Sequence, residues 1–211
     1  MPGKVVTIAQ QKGGSGKTTL AVNIAAECVR RGMSVAILDT DPQGSLGRWF
    51  MTRREAKGAE EGLEFSTSSA WGVSYECEKL KKLADLVIVD TPPKVDADLR
   101  PAMREADLVL VPVATSHVDL WATEGVLDLA AREGKRAWIV MNRMRVGTRL
   151  GEDVMRAAGE LTAGVTQSQL ANRVIYAETL GQGLGVVEAG HRAARDEVRA
   201  LADEVLALLA V

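Results

Sequence analysis

The chain has 211 residues, with 26 lysines and arginines against 28 aspartates and glutamates, a net charge of −2 and a pI near 5.8. Apolar residues make up 46% and charged residues 26%, which is the balance of an ordinary soluble globular protein. The overall charge carries no signature of nucleic-acid binding, so any DNA contact must come from a local patch. The length suits one α/β domain, and we expect residues 1–211 to form it.

Two cysteines, Cys28 and Cys77, are far apart and lack the spacing of a metal site. They indicate reduced thiols, and we expect a cytoplasmic protein. Residues 1–4 lead directly into the first predicted strand, so no signal peptide is expected there. No apolar run reaches the length of a transmembrane helix.

Apolar runs at residues 5–9, 35–38, 86–89, 108–113 and 137–141 predict strands buried on both faces, as in a parallel sheet. Helical patterns occupy residues 18–31, 120–132, 151–161 and 192–209. This alternation predicts a doubly wound, mostly parallel α/β sheet with helices on both faces. Residues 53–62 predict a solvated helix or loop, and residues 163–185 show no clear period.

A glycine-rich loop joins the first predicted strand to the first predicted helix. Its residues are Lys12, Gly13, Gly14, Ser15, Gly16, Lys17, Thr18 and Thr19. Glycines let backbone N–H groups approach phosphates, and the helix N-terminus adds a partial positive charge. We expect Lys17 to reach the β- and γ-phosphates of a nucleotide and the Thr18 hydroxyl to bind Mg²⁺.

Lys12 departs from the standard phosphate-loop pattern, which has a glycine at the position of Gln11. A second ammonium close to the phosphates needs an anion, and one pocket hardly needs two lysines. The sharper explanation is that Lys12 reaches the nucleotide of a neighbouring subunit. The alternative is a glycine turn with a solvated Lys12.

These residues resemble the deviant Walker A loop, KGGxGKT[TS], of the ParA/MinD family. The resemblance extends over most of the chain and is greatest to the short ParA proteins that lack an N-terminal DNA-reading domain. It implies a Mg²⁺-dependent ATPase with the P-loop fold, which forms a homodimer around two ATP molecules. In the family the signature lysine crosses the dimer interface, which matches the interpretation of Lys12 and gives it, with Lys17, a catalytic role.

Three further motifs extend the resemblance. The segment at residues 35–44 resembles the family's DxDPQ signature, which makes Asp41 the residue that positions water and leaves Asp39 to support the Mg²⁺ shell or the loop. Residues 86–90 resemble a Walker B strand whose Asp90 acts on Mg²⁺ through a bound water. Residues 93–99 resemble a switch loop that senses the γ-phosphate. Turn formation is the alternative role for both aspartates of the first motif.

The stretch at residues 111–121 resembles the family's VPVxPSxxDxW segment near the subunit interface, with Thr115 in place of a proline. The replacement predicts a less rigid loop. We interpret His117 as a loop or interface residue, because positioning and metal dominate this chemistry over a protein base. Asn142 follows a strand where the family has an asparagine that reads adenine, and a turn residue is the alternative.

Basic residues predict a DNA-binding surface. The segment from residue 132 to residue 149 contains six lysines and arginines but only one acidic residue. Residues 172–178 resemble a family segment with a DNA-contacting arginine. Phosphate-directed arginines would give non-specific, salt-sensitive binding, whereas a solvated charged surface is the alternative. The candidate contacts are Arg143, Arg145, Arg149, Arg173, Arg192, Arg195 and Arg199.

The resemblance implies a partition ATPase. ATP-dependent dimers would bind nucleoid DNA, and a ParB-like adaptor or another cargo protein would stimulate hydrolysis to move a plasmid, a chromosome or a protein cluster. The first alternative is a MinD-like membrane-associated regulator of division. Residues 201–211 carry no lysine or arginine, unlike a basic membrane-binding helix, so we expect core packing and no membrane contact. The second is a metabolic P-loop enzyme, for which no cluster site or substrate pocket is evident.

Overall fold

The computed structural model describes residues 2–93 and 98–210. The strands there are β1 (Lys4–Ile8), β2 (Val35–Asp39), β3 (Leu63–Thr67), β4 (Leu86–Asp90), β5 (Leu108–Val113), β6 (Ala137–Met144) and β7 (Gly164–Ala171). The helices are α1 (Lys17–Arg30), α2 (Ser45–Lys57), α3 (Val73–Leu80), α4 (Leu99–Glu105), α5 (His117–Trp121), α6 (Glu124–Arg132), α7 (Arg149–Gly159), α8 (Ile175–Gly181) and α9 (Arg192–Leu209). Short 3₁₀ turns lie at Ala70–Gly72 and Val186–Glu188.

All seven strands form one sheet in the order β3-β2-β4-β1-β5-β6-β7, and every neighbouring pair is parallel. The chain first builds the sheet on one side of β1 and then, from β5 onward, on the other. This is the predicted doubly wound α/β fold. Its topological switch lies beside β1, and ligands of such sheets bind there, outside the carboxyl ends of the strands.

Alternate side chains of the central strands enter two different cores. Val6 and Ile8 of β1 pack with α1, α2 and α9, whereas Val5 lies on the opposite face with α3. The remaining core on that second face joins β5 and β6 to α4, α6 and α7. Because side chains of a strand alternate between faces, a strand covered by helices on both sides must be apolar at every position. This explains the continuous apolar runs of β1, β2, β4 and β5.

The two edge strands, β3 and β7, were absent from the predicted set. Each is partly exposed along its length and carries polar residues, so neither shows a continuous apolar run. Side chains of α9 cover the free edge of β7. Glu204 accepts the N–H groups of Gln167 and Ser168 at 2.8 and 2.9 Å, and Glu197 accepts that of Ala171 at 3.2 Å. The edge strand is thereby protected from pairing with another chain.

The helix predicted over residues 120–132 is two helices, α5 and α6. The break falls at Ala122 and Thr123. The fully buried hydroxyl of Thr123 donates to the carbonyl of Leu120 at 2.6 Å, which is the local side-chain bond that competes with helical pairing. Helix α9 has the predicted bounds, and its apolar face, including Leu201 and Val205, lies in the core.

The predicted switch stretch lies mainly outside the described residues, which omit 94–97. Within the part of the chain that is described, no helix is both long and apolar enough to cross a membrane.

Candidate nucleotide-binding site

The glycine loop after β1 is held against β6 by Asn142. The buried amide of Asn142 donates from Nδ2 to the carbonyl of Ser15 at 2.8 Å. Gly16 has a φ of 92°, and a Cβ there would lie 2.2 Å from that Nδ2 atom. Only glycine satisfies both the left-handed backbone and the close approach. Asn142, predicted to read adenine, therefore contacts the loop in this structure and shapes it.

Lys17 is the first residue of α1 and is only 7% exposed. Its ammonium makes no hydrogen bond or ion pair with the described residues. Burial lowers the pKa of Lys17, although the carboxylates of Asp90 and Asp41 favour its charged form. A buried ammonium without a hydrogen-bonded partner is costly, so this side chain is arranged for an anion that enters from outside.

Asp90 ends β4 directly beside the start of α1. The Thr18 hydroxyl donates to its Oδ2 atom at 2.6 Å, while its Oδ1 atom is buried and has no hydrogen-bond partner among the described residues. Burial raises the pKa of Asp90 to about 7. Nor does the buried Ser15 hydroxyl have a hydrogen-bond partner within residues 2–93 and 98–210. The carboxylate of Asp90 and the hydroxyls of Thr18 and Ser15 therefore have oxygen lone pairs available. Proteins usually hold Mg²⁺ with such oxygen ligands together with the phosphates of a substrate, so this set fits that cation.

Asp39 is the last residue of β2, Asp41 lies two residues beyond it, and the two carboxylates have different surroundings. Asp39 is buried and accepts the N–H groups of Asp41 and Gly47 at 3.0 and 2.9 Å. Burial raises the pKa of Asp39 despite these bonds, and each of its two carboxylate oxygens accepts a backbone N–H group. This supports its loop role over direct metal ligation. Asp41 accepts the N–H of Gln43 at 2.9 Å and faces the phosphate loop.

One cleft of about 260 Å³ brings most of the predicted phosphate-site residues together. Asp41 forms part of its wall. The sequence did not predict Gln43, Ser45 or Leu180 here. Gln43 precedes α2, Ser45 begins it and Leu180 lies in α8, and no local pattern reports that proximity. The lining consists of Gly13, Gly14, Gly16, Lys17, Thr18, Thr19, Asp41, Gln43, Ser45, Pro93, Arg143 and Leu180.

Lys12 is absent from that lining and turns toward α5 instead. Its Nζ atom lies 2.7 Å from Oδ2 of Asp119, and the lysine side chain is 39% exposed. Beside this ion pair, Val118 and Trp121 expose 56% and 64% of their surface. The two lysines of the loop therefore have different surroundings. Lys17 lines the cleft of its own chain, whereas Lys12 lies on an exposed, partly apolar rim.

Thr115 fastens the loop after β5 to the loop after β6. Its hydroxyl donates to the carbonyl of Arg143 at 3.3 Å and accepts the N–H of Arg145 at 3.0 Å. These bonds tie the two segments together at the position where the family has a proline. His117 lies beside Trp121, with ring centroids 6.5 Å apart, outside the cleft lining. His117, interpreted from the sequence as a loop or interface residue, is the first residue of α5.

The basic cluster read from residues 132–149 is not one patch. Arg132, Lys135 and Arg136 precede β6, whereas Arg145 and Arg149 follow it. The eight residues of β6 separate the two groups by roughly 25 Å at about 3.3 Å per residue. The local charge counted along the sequence is thus divided between opposite ends of the sheet.

The other arginines proposed for DNA differ in accessibility. Arg192 and Arg149 have side chains 88% and 95% exposed. Arg173 is paired with Glu197 at 2.7 Å. Arg195 and Arg199 are half-buried, and their buried Nε atoms have no hydrogen-bond partner in the described part of the chain. Arg149 follows β6, and Arg192 begins α9. Glu197 of α9 accepts the N–H of Ala171 at the end of β7, so the start of α9 lies near that end of the sheet. The accessible candidates therefore lie toward the carboxyl ends of β6 and β7.

Comparison with known proteins agrees with the site. The family model described as "ATPase MipZ" matches residues 4–137. A relative from Halothiobacillus neapolitanus, the maintenance of carboxysome distribution protein A, is 29% identical over 213 residues and covers 95% of both chains. The chromosome-partitioning ATPase Soj of Thermus thermophilus is 33% identical over 151 residues, which are 60% of this chain and 59% of Soj.

Among solved structures, an ATP complex of Cyanothece McdA has a TM-score of 0.81 at 16% identity, covering 97% of this chain and 96% of the other. That likeness shows the fold. The family match covers more than half of the chain and includes the phosphate loop, Asp41 and Asp90. The chain therefore belongs to the MipZ family of ATPases, within the ParA/MinD group of P-loop proteins.

Proposed function

We propose that this protein is a ParA-type positioning ATPase whose ATP-bound dimer binds DNA without sequence specificity and releases it on hydrolysis. ATP and Mg²⁺ would occupy the cleft, with Lys17 on the phosphates and Thr18 and Asp90 on the Mg²⁺ shell. Asp41 would position the attacking water. Most of the catalysis in such a site is positioning and charge stabilisation, so these few residues suffice.

The observation that carries the proposal is the placement of Lys12. A lysine needed only for its own nucleotide would face the cleft, but the Lys12 ammonium lies on the rim against Asp119. Breaking that pair would free it to reach a second nucleotide across an interface. The exposed Val118 and Trp121 beside it supply apolar surface that a second copy would bury.

DNA binding is proposed for the accessible arginines at the carboxyl edge, Arg145, Arg149 and Arg192, with Arg173, Arg195 and Arg199 around them. A single copy presents few free guanidinium groups, and dimerisation would double them. Because each phosphate contact adds to the salt dependence, affinity should rise steeply on dimerisation and fall with salt. Nucleotide state would thereby control attachment to the nucleoid in the cytoplasm.

The cargo is proposed only as a class. One relative is named for carboxysome distribution and another for chromosome partitioning, so related ATPases serve both a protein assembly and DNA. We propose that an adaptor, ParB-like or specific to a protein cluster, stimulates hydrolysis. The MinD-like alternative requires an accessible membrane-binding helix. The apolar face of α9 is instead buried against the sheet, which favours the DNA-based function.

The test combines assembly with DNA binding. Wild type, Asp41→Ala and Lys12→Ala would be measured by light scattering and by binding to a random duplex, with ADP and with ATP, at two salt concentrations. We expect ATP-dependent dimers and salt-sensitive DNA binding in wild type, both retained in Asp41→Ala and both lost in Lys12→Ala. ATP-dependent binding to anionic liposomes without DNA binding would instead support the MinD-like function.

A further inference from the structure

Arg143 has an unusual backbone conformation at the rim of the cleft. Its φ is 52°, and among the described residues no other non-glycine has a positive φ. The left-handed region is unfavourable for a long side chain, and residues held there concentrate at ligand sites. The surroundings enforce this conformation. The Asn142 side chain accepts the Arg143 N–H at 2.9 Å, and the Thr115 hydroxyl donates to the Arg143 carbonyl at 3.3 Å.

The conformation places Arg143 in the wall of the nucleotide cleft. Arg145 and Arg149, two and six residues further on, are absent from that lining. The Arg143 side chain is exposed and makes no hydrogen bond or ion pair with the described residues. Arg143 thus lines the cleft and carries a guanidinium that has no partner among the described residues, and its neighbour Asn142 holds the phosphate loop at Ser15.

The sheet order shows which end of the cleft this is. Asp41 and Pro93 follow β2 and β4, on one side of β1. Arg143 belongs to β6, two strands away on the other side of β1, which corresponds to about 10 Å. If Asp41 marks the γ-phosphate, Arg143 lies toward the opposite end of the nucleotide. Leu180 of α8 supplies an apolar wall in the same cleft.

We propose that the Arg143 guanidinium binds the purine base of the nucleotide, stacked on one face of the ring. This makes Arg143 a nucleotide-binding residue and removes it from the DNA-contacting set. The planar guanidinium suits an aromatic ring, since it combines cation–π attraction with stacking. The strained backbone is retained because it aims this group into the cleft. The inference rests on the proposed nucleotide function of the same cleft.

The test uses calorimetric titration with two probes, Mg²⁺·ADP and Mg²⁺·pyrophosphate, which share phosphates but not the base. The variants are Arg143→Asn, which tolerates the left-handed backbone, and Arg143→Lys, which keeps the charge but not the plane. Arg145→Asn is the matched control, because it removes a guanidinium outside the cleft. DNA affinity and thermal midpoint are measured for each protein.

We expect Arg143→Asn to weaken ADP binding by about 3- to 30-fold, the range of a cation–π contact, and to leave pyrophosphate binding unchanged. Arg143→Lys should fall between it and wild type, Arg145→Asn should bind ADP normally, and the thermal midpoint of Arg143→Asn should not fall. Equal losses for ADP and pyrophosphate would overturn base binding in favour of a phosphate contact. Unchanged ADP affinity with lost DNA affinity would return Arg143 to the DNA surface. If wild type itself bound neither probe, the proposed function would fail as well, which is a distinct result.

Discussion

The surroundings of Lys17 and Asp90 and the joint between α2 and the Val186–Glu188 turn both bury charged side chains, but among the described residues only those of the joint form ion pairs. We define the joint as Arg53, Lys57, Glu60 and Glu188. Arg53, 2% exposed, donates to Glu60 at 2.5 and 2.9 Å, to Glu188 at 2.7 and 2.9 Å, and to the carbonyl of Gly183 at 3.0 Å. All of its N–H groups face partners within the protein.

Three groups at the phosphate site lack such partners. Within the described part of the chain, the Lys17 ammonium has no ion pair, and Ser15 Oγ and Asp90 Oδ1 have no hydrogen bond. Because native proteins satisfy nearly all buried polar groups, this concentration of unsatisfied atoms is the mark of a site completed by a ligand. The difference teaches that buried charge alone does not indicate function. Its pairing state distinguishes a structural network from a binding site.

Breaking the joint should have the largest effect on folding. Arg53→Met leaves the carboxylates of Glu60 and Glu188 without their main partner, and we expect a loss of about 3–5 kcal/mol in the free energy of unfolding. Urea denaturation measures it. Lys57→Met is the control, since Lys57 is 36% exposed and should cost under about 1 kcal/mol. Equal losses in the two variants would show that Arg53 is not the centre of the network.

Removing the charge of Lys17 in the phosphate loop should weaken nucleotide binding without lowering the stability of the fold. Lys17→Gln removes the ammonium that meets the phosphates, and we expect ADP affinity to fall about 100-fold, as for loss of a charged hydrogen-bonding group. Stability should stay constant or rise, because the buried charge disappears. Lys12→Gln should retain ADP affinity in the monomer. A destabilised Lys17→Gln that still binds ADP would reverse the comparison.

Asp90 allows the same contrast to be tested by pH, without nucleotide or Mg²⁺. Burial raises its pKa from 3.8 to about 7, so between these values the folded state binds more protons than the unfolded chain. Stability therefore falls as pH rises through this range. We expect Asp90→Asn to exceed wild type by about 1–3 kcal/mol at pH near 8 and to lose that advantage near pH 4. A constant difference across this range would contradict the assignment.

Glu188 in the joint should show the opposite dependence, with a smaller effect. Burial raises its pKa, but hydrogen bonds from Arg53, Lys57 and the Gly185 N–H outweigh burial and hold the pKa at about 2. Its contribution is present above the unfolded pKa of 4.5 and is lost as pH falls toward 2. We expect Glu188→Gln to cost about 1–2 kcal/mol at neutral pH and almost nothing near pH 2, measured by urea unfolding. If Glu188→Gln were still less stable than wild type near pH 2, the cause would instead be lost packing.

Predictions from the sequence succeeded where the pattern was local. The strands buried on both faces and the strand–loop–helix context of the phosphate loop lie in short, continuous segments. Edge strands β3 and β7 were missed because half-exposed strands mix polar and apolar residues. The basic run around β6 was misleading because positions close in sequence can lie at opposite ends of a strand.

By itself, the sequence determined the doubly wound sheet, the phosphate loop and the carboxylates at its strand ends. Those features depend on side-chain periodicity and on glycine and lysine at fixed spacing, which act over a few residues. Only the tertiary structure decided that Lys12 pairs with Asp119, that Asn142 braces Ser15, and that Arg143 faces the cleft. The first two contacts join residues 107 and 127 positions apart in the chain. Such contacts depend on how the strands are ordered in the sheet, which no local pattern specifies.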